Sequence, residues 1–104
     1  MRPRKRAYVI EYSPLCREHL TALAAGERTT VLTEVDVQLV HEPTVVTKNR
    51  KALRPNPLAR FELRIGALRV YYEVDEARRV VEIRAVGIKD RDQVIIGGEE
   101  IDLS

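Results

Sequence analysis

The stretch FELRIGALRVYYEVD, residues 61–75, restricts what this chain can fold into more than any other part of it. Apolar and polar side chains alternate on both sides of Gly66. Successive side chains of a strand point to opposite faces. Phe61, Leu63 and Ile65 therefore share a face with Leu68, Val70, Tyr72 and Val74, while Glu62, Arg64, Arg69, Tyr71 and Glu73 take the other. The pattern predicts a β-hairpin turning at Gly66, with one face to bury and one charged face. Two arginines beside a tight turn, next to a tyrosine, have two readings. Cross-strand pairing with Glu62 and Glu73 makes them ordinary surface ion pairs. Left unpaired, their forked guanidinium groups suit a phosphate.

The apolar face needs a cover, and the preceding residues supply it. AYVIEY (7–12) alternates as a strand does. Ser13 followed by Pro14 is a helix start, because Ser caps free N–H groups and Pro fits the first turn. Cys16, Leu20 and Leu23 form an apolar stripe, and Gly26 is the expected end of this helix. A second helix is expected from Glu27, with Val31, Val35 and Leu39 four apart, Leu32 widening the stripe, and Pro43 as the stop. The short AAGER connection predicts an antiparallel helix pair. Residues 43–60 hold three prolines and read as a long loop. After the hairpin come a polar turn DEARR (75–79), a third strand VVEIRAVGI (80–88), a polar connection KDRD (89–92) and a terminal hairpin over 94–103 turning at Gly97-Gly98. A strand, a helical hairpin and then an antiparallel meander make an α+β layer fold, a single domain over 1–104.

Apolar residues form 44% of the chain, but with one Phe and no Trp the core must be mainly aliphatic. The lone Cys16 has no internal disulfide partner, and no apolar run reaches the length of a membrane span; both fit a reducing cytoplasm. The net charge of +2 is unevenly spread. Arg2, Arg4, Lys5 and Arg6 give residues 1–6 the look of a flexible basic arm, Lys48, Arg50, Lys51 and Arg54 form a second cluster, and the GGEEID tail is acidic. Such clusters either are solvated surface or track an anionic backbone. Cys16 and His19 lie three apart on the first helix, but no further ligand is near and His41 is isolated, so no metal or cofactor is expected.

The order of elements, with the block Leu63-Arg64-Ile65-Gly66 followed by Leu68-Arg69-Val70-Tyr71-Tyr72 and then AVGIKDR, resembles the RelE/ParE superfamily of bacterial toxins from about Tyr8 to Arg91. The resemblance implies a helical hairpin on a curved antiparallel sheet and a small antitoxin as partner. RelE-like members cleave mRNA on the ribosome; ParE-like members inhibit DNA gyrase without being nucleases. Position by position, Arg69 matches the arginine that holds the scissile phosphate, Arg64 a basic residue of the preceding strand, and Lys89 a catalytic arginine, with Arg91 two residues on. Glu62 stands where the ribonucleases have a lysine, and Ile95 at about the place of their C-terminal tyrosine or histidine.

These matches set the expectations. Arg69, Arg64, Lys89 and Arg91 are the candidate catalytic cations, and Lys48, Arg50, Lys51, Arg54 and Tyr71 the candidate RNA contacts. Self-cleavage of RNA also needs a base for the 2′-OH and an acid for the leaving oxygen. No residue stands out for the proton transfers, so the enzymatic reading shares the field with two others. One is a gyrase-binding toxin of the ParE kind. The other is a non-toxic module that only binds an antitoxin.

Overall fold

The computed structural model describes residues 7–101. The basic arm expected at 1–6 lies outside the described residues, as do the final residues 102–104. The hairpin forms as the alternation requires, from β3 (Phe61–Ile65) and β4 (Leu68–Asp75), which directly follow β1 (Val9–Tyr12), α1 (Pro14–Ala22), α2 (Ala25–Leu39) and β2 (Arg50–Ala52). Gly66 takes φ +57°, the positive value that a two-residue type II′ turn places at its first position. The register pairs Leu63 with Val70, Glu62 with Tyr71 and Arg64 with Arg69. The chain continues through β5 (Val80–Asp90), β6 (Gln93–Ile96) and β7 (Glu99–Ile101). One sheet results, in the order β2-β3-β4-β5-β6-β7, with β1 joined to β5.

The β1–β5 pairing is parallel, Val9 opposite Val80 through Tyr12 opposite Ile83. Alternation at 7–12 announced a strand but not its neighbour. On this edge β5 meets β1 and then β6, whose antiparallel pairing starts at Gly87 opposite Ile96. Between them the backbone of 84–86 has no strand partner on this edge, and the start of α1 substitutes. Ser13 Oγ donates to the Arg84 carbonyl at 3.3 Å, and the Val86 N–H donates to His19 Nδ1 at 3.3 Å. Gly87 is needed where β6 closes in, since a Cβ there would lie 2.6 Å from the Ile95 carbonyl oxygen.

Ser13 caps α1 as expected, accepting from the Cys16 N–H at 3.1 Å. The helix boundary at Gly26 is corrected. α1 ends at Ala22, and Gly26 sits in the first turn of α2. Two side chains set this break. Glu27 Oε1 accepts the Ala24 N–H at 3.1 Å and starts α2, while Arg28 reaches back to the Leu20 and Leu23 carbonyls and closes α1. The long loop expected over 43–60 contains the short strand β2, paired with β3 from Arg50 opposite Leu63 to Ala52 opposite Phe61.

The helix-covered face of the sheet holds the main core. Val31, Val35 and Leu39 of α2 and Cys16 of α1 have no exposed surface and meet Leu63, Val70, Tyr72, Val81 and Ile83. Leu32 turns outward. The Tyr72 hydroxyl donates to the Pro43 carbonyl at 2.6 Å, and its ring stacks on Phe61 with centroids 5.4 Å apart.

Candidate functional site

Register and alternation place Lys51, Glu62, Arg64, Arg69, Tyr71, Ala85, Gly87, Lys89, Val94 and Ile96 on the second face of the sheet. Arg64 and Arg69 stand directly opposite each other, an arrangement that like charges disfavour. The two side chains separate. Arg64 remains exposed, and its Nε donates to Glu62 Oε1 at 2.6 Å. Arg69 folds back on the hairpin turn, where Nη1 donates to the Gly66 carbonyl at 2.7 Å and the Leu68 carbonyl at 2.9 Å. It is only 8% exposed and has no carboxylate within ion-pair distance among the described residues. The expected cross-strand pairing is therefore realised for neither arginine: Arg64 bonds Glu62, two residues back on its own strand, and Glu73 goes to Arg60.

Lys89 lies exposed on the same face as Arg69, two residues beyond Gly87, which faces Arg69 across the strands. Its backbone N–H donates to the Ala67 carbonyl at 2.7 Å, so it is anchored at the same turn. Arg91 is exposed in the β5–β6 turn with φ +56°. Arg69, Lys89 and Arg91 thus gather at one end of the sheet. The acidic tail forms β7 at the far edge, with no ion pair to these cations among the described residues.

The basic cluster at 48–54 divides. Lys48 and Arg54 are exposed, and Lys51 lies on the second face opposite Glu62. Arg50 points to the helix side instead, where its Nη1 donates to the Gln38 carbonyl at 2.6 Å and closes the end of α2. Its Nε is buried without a partner. As a surface contact for RNA, Arg50 is corrected to a helix cap.

Tyr71 is corrected in the same way. The β2–β3 connection folds over the second face, and Leu53, Leu58 and Ala59 cover the ring against Ala85 and Ile96. Tyr71 has no exposed surface, so no base can stack on it in this conformation. Asn56 shapes the cover: its Oδ1 accepts from Leu58 N–H at 2.8 Å and Ala59 N–H at 3.1 Å, and its Nδ2 donates to the Arg54 carbonyl at 2.7 Å. The Tyr71 hydroxyl makes no hydrogen bond of good geometry. Burial above all, then the neighbouring Glu62 carboxylate, pushes its ionisation well above the usual phenol range. The signal for this cover was present in the sequence as Leu53 and Leu58 flanking Asn56 and two prolines.

Ile95 pairs with Ile88 on the helix side of the sheet, so the second face carries Val94 and Ile96 there. On α1, Cys16 is sealed in the core, and burial raises its thiol to about 11. His19 is 7% exposed, and burial lowers its imidazole from 6.5.

No protein-family model and no curated protein matches the sequence. Among solved structures, a chain of the toxin–antitoxin complex RelBE2 from Mycobacterium tuberculosis superposes with a TM-score of 0.70 at 24% identity, over 80% of this chain and 99% of that one. This chain has that fold. The α+β architecture expected from the RelE/ParE resemblance is therefore the architecture observed. No helix among the described residues is long and apolar enough to cross a membrane.

Proposed function

We propose that this chain is the toxin half of a toxin–antitoxin pair, held in check by a cognate antitoxin, and that it acts in the cytoplasm by cleaving mRNA on the ribosome in the RelE manner. The observation that carries the reading is Arg69. A buried guanidinium whose partners are turn carbonyls has its charge uncompensated, and burying such a charge is unfavourable. A phosphate oxygen supplies the missing charge, and both bonds to the turn use Nη1, which leaves the rest of the fork for it.

In this reading Arg69 holds the scissile phosphate and Lys89 and Arg91 add positive charge beside it. Arg64 joins them when Glu62 releases it, and Lys48, Lys51 and Arg54 follow the RNA backbone. The 2′-oxygen forms a bond to phosphorus, the bond from phosphorus to the 5′-oxygen breaks, and the 2′ proton leaves while the 5′-oxygen gains one. The RelE resemblance implies that this proceeds without a metal ion. The test is purified protein in a translating extract. The mRNA should be cut, and Arg69→Ala should abolish cutting. Intact mRNA with the parent protein removes the nuclease reading.

A second reading has its own support. Glu62 is engaged by Arg64, Tyr71 is sealed under a loop, and Ile95 faces the helices, so none of these three described residues presents a free proton-transfer group beside Arg69. A toxin that works by binding a protein such as DNA gyrase needs none. Uninhibited supercoiling at micromolar toxin removes gyrase as the target. Expression that leaves growth unaffected in a host without antitoxin leaves an antitoxin-binding module.

A further inference from the structure

A cavity of about 500 Å³ opens where the β2–β3 connection meets the start of β3, at the far end of the hairpin from the Gly66 turn. Leu53, Pro55 and Asn56 of the connection line it together with Ala52, Arg60 and Phe61. Its lining is mainly apolar. Arg54 and Arg60 are its two charged residues, and no carboxylate borders it. A neighbouring cavity that shares Arg60 and Phe61 has Asp75 and Glu76 in its lining instead, so only the first suits an anion.

Arg60 is fixed in place. Its Nε donates to Glu73 Oε1 at 2.5 Å and its Nη2 to the Val74 carbonyl at 2.7 Å, while its own backbone N–H donates to Glu73 Oε2 at 2.8 Å. Its Cζ lies over the Phe61 ring, 5.4 Å from the centroid. The side chain is nevertheless 60% exposed. Glu73 already answers its charge, so Arg60 offers a rigid guanidinium plane rather than a free cation. RNA bases stack on such planes. Arg54 is the complement: it is exposed and has no ion pair among the described residues. A plane for a ring, an apolar space and a free cation for a phosphate together describe a nucleotide.

Asn56 sets how such a base is chosen. Its Nδ2 donates to the Arg54 and Ala59 carbonyls and its Oδ1 accepts from the Leu58 and Ala59 N–H groups, so both ends of the amide are occupied. It cannot read a base edge. Selection falls to stacking area, which is larger for a purine.

We propose that this cavity seats one base of the bound RNA, a purine in preference to a pyrimidine, stacked on Arg60 with its phosphate on Arg54. The proposal rests on the RNA-cleaving reading. Phe61 lies three residues along β3 from Arg64, the partner of Arg69, a distance of about 10 Å. The seated base therefore belongs to a nucleotide near the cut, not to the one cleaved. The base contact expected of Tyr71 passes to Arg60. Leu53 and Ala59 both line the cavity and cover Tyr71, so RNA is read with the cover closed.

The experiment titrates isotope-labelled protein with AMP, UMP and ribose 5-phosphate. AMP should shift the resonances of Ala52, Leu53, Asn56 and Phe61, about fivefold more tightly than UMP, and ribose 5-phosphate should leave them in place. Arg60→Lys keeps a charge for Glu73 but loses the plane, and should weaken AMP about fivefold or more. Ala52→Phe, at an exposed position, should fill the cavity and abolish the AMP shifts. Equal responses to AMP and ribose 5-phosphate, shifts confined to the Arg69 and Lys89 end, or no shifts overturn the proposal on the parent protein alone. Cutting of mRNA is scored separately. Cutting without AMP binding removes the base site only, whereas AMP binding in a protein that leaves mRNA intact removes the nuclease reading and keeps a nucleotide site. Where both occur, mapped cuts should carry a purine bias at one fixed position that Arg60→Lys erases; unbiased cuts overturn the proposal.

Discussion

The two faces of the sheet are built from the same strands by opposite rules. Under the helices, Leu63, Val70, Tyr72, Val81 and Ile83 form an aliphatic and aromatic layer whose one buried hydroxyl, on Tyr72, finds the Pro43 carbonyl. On the second face, buried positions hold Glu62, Arg69 and Tyr71, the last with a hydroxyl that makes no hydrogen bond of good geometry. Stability alone accounts for the first arrangement. The second keeps charge and an unsatisfied polar group where apolar side chains would pack at least as well. That difference marks the second face as the one whose composition packing alone does not explain.

The comparison predicts different responses to substitution. Leu63→Ala, on the helix-covered face, should produce the largest effect, a loss of about 3 kcal/mol in urea unfolding, because the site is fully enclosed and cannot collapse. Arg69→Met, on the second face, should leave stability within about 1 kcal/mol of the parent or raise it, while abolishing mRNA cutting in the translating extract. A loss as large as that of Leu63→Ala would mean that Arg69 is a structural brace for its turn, and the contrast between the faces would fail.

The helix-covered face was legible because its signal is periodic. The apolar residues that alternate through 61–74 and those at every fourth place in 31–39 are the ones found packed in the main core, buried or half-buried. The second face was legible only in part. Arg64 and Arg69 were correctly placed on it, but alternation carries no information on side-chain direction once a residue meets its neighbours. The turn carbonyls that capture Arg69, the helix end that captures Arg50 and the loop that covers Tyr71 are all tertiary events. Likewise, nothing in a strand's own residues says that β1 lies parallel to β5. Gly26 misled because its usual place is a helix end, and here Arg28 performs that closure instead.

Tyr71→Phe should sharpen the comparison with a smaller effect. Removing a buried hydroxyl that lacks a partner relieves its desolvation without opening a cavity, so the variant should gain up to about 1 kcal/mol. Tyr72→Phe should lose about the same, since that hydroxyl is paired with the Pro43 carbonyl. Equal changes in the two variants would show that the two hydroxyls are satisfied alike and that the faces do not differ in this respect.

The smallest expected effect belongs to His19, at the break in the β5 edge between the two faces. Its Nδ1 must stay unprotonated to accept from the Val86 N–H, and burial lowers its pKa below 6.5. The unfolded chain therefore takes up a proton before the folded chain does. The contribution is fully present above pH 6.5 and is lost as pH falls from there through the folded value, so stability declines with acid in that window. The Glu18 carboxylate works against the shift, but burial outweighs it. His19→Gln retains an oxygen acceptor for Val86 and cannot take up a proton. The difference in unfolding free energy between parent and variant should accordingly slope with pH just below 6.5 and be flat above it, while carboxylates common to both cancel. A difference that is flat throughout would mean that the ring adapts to its second proton, and that the break in the β5 edge is held by Ser13 alone.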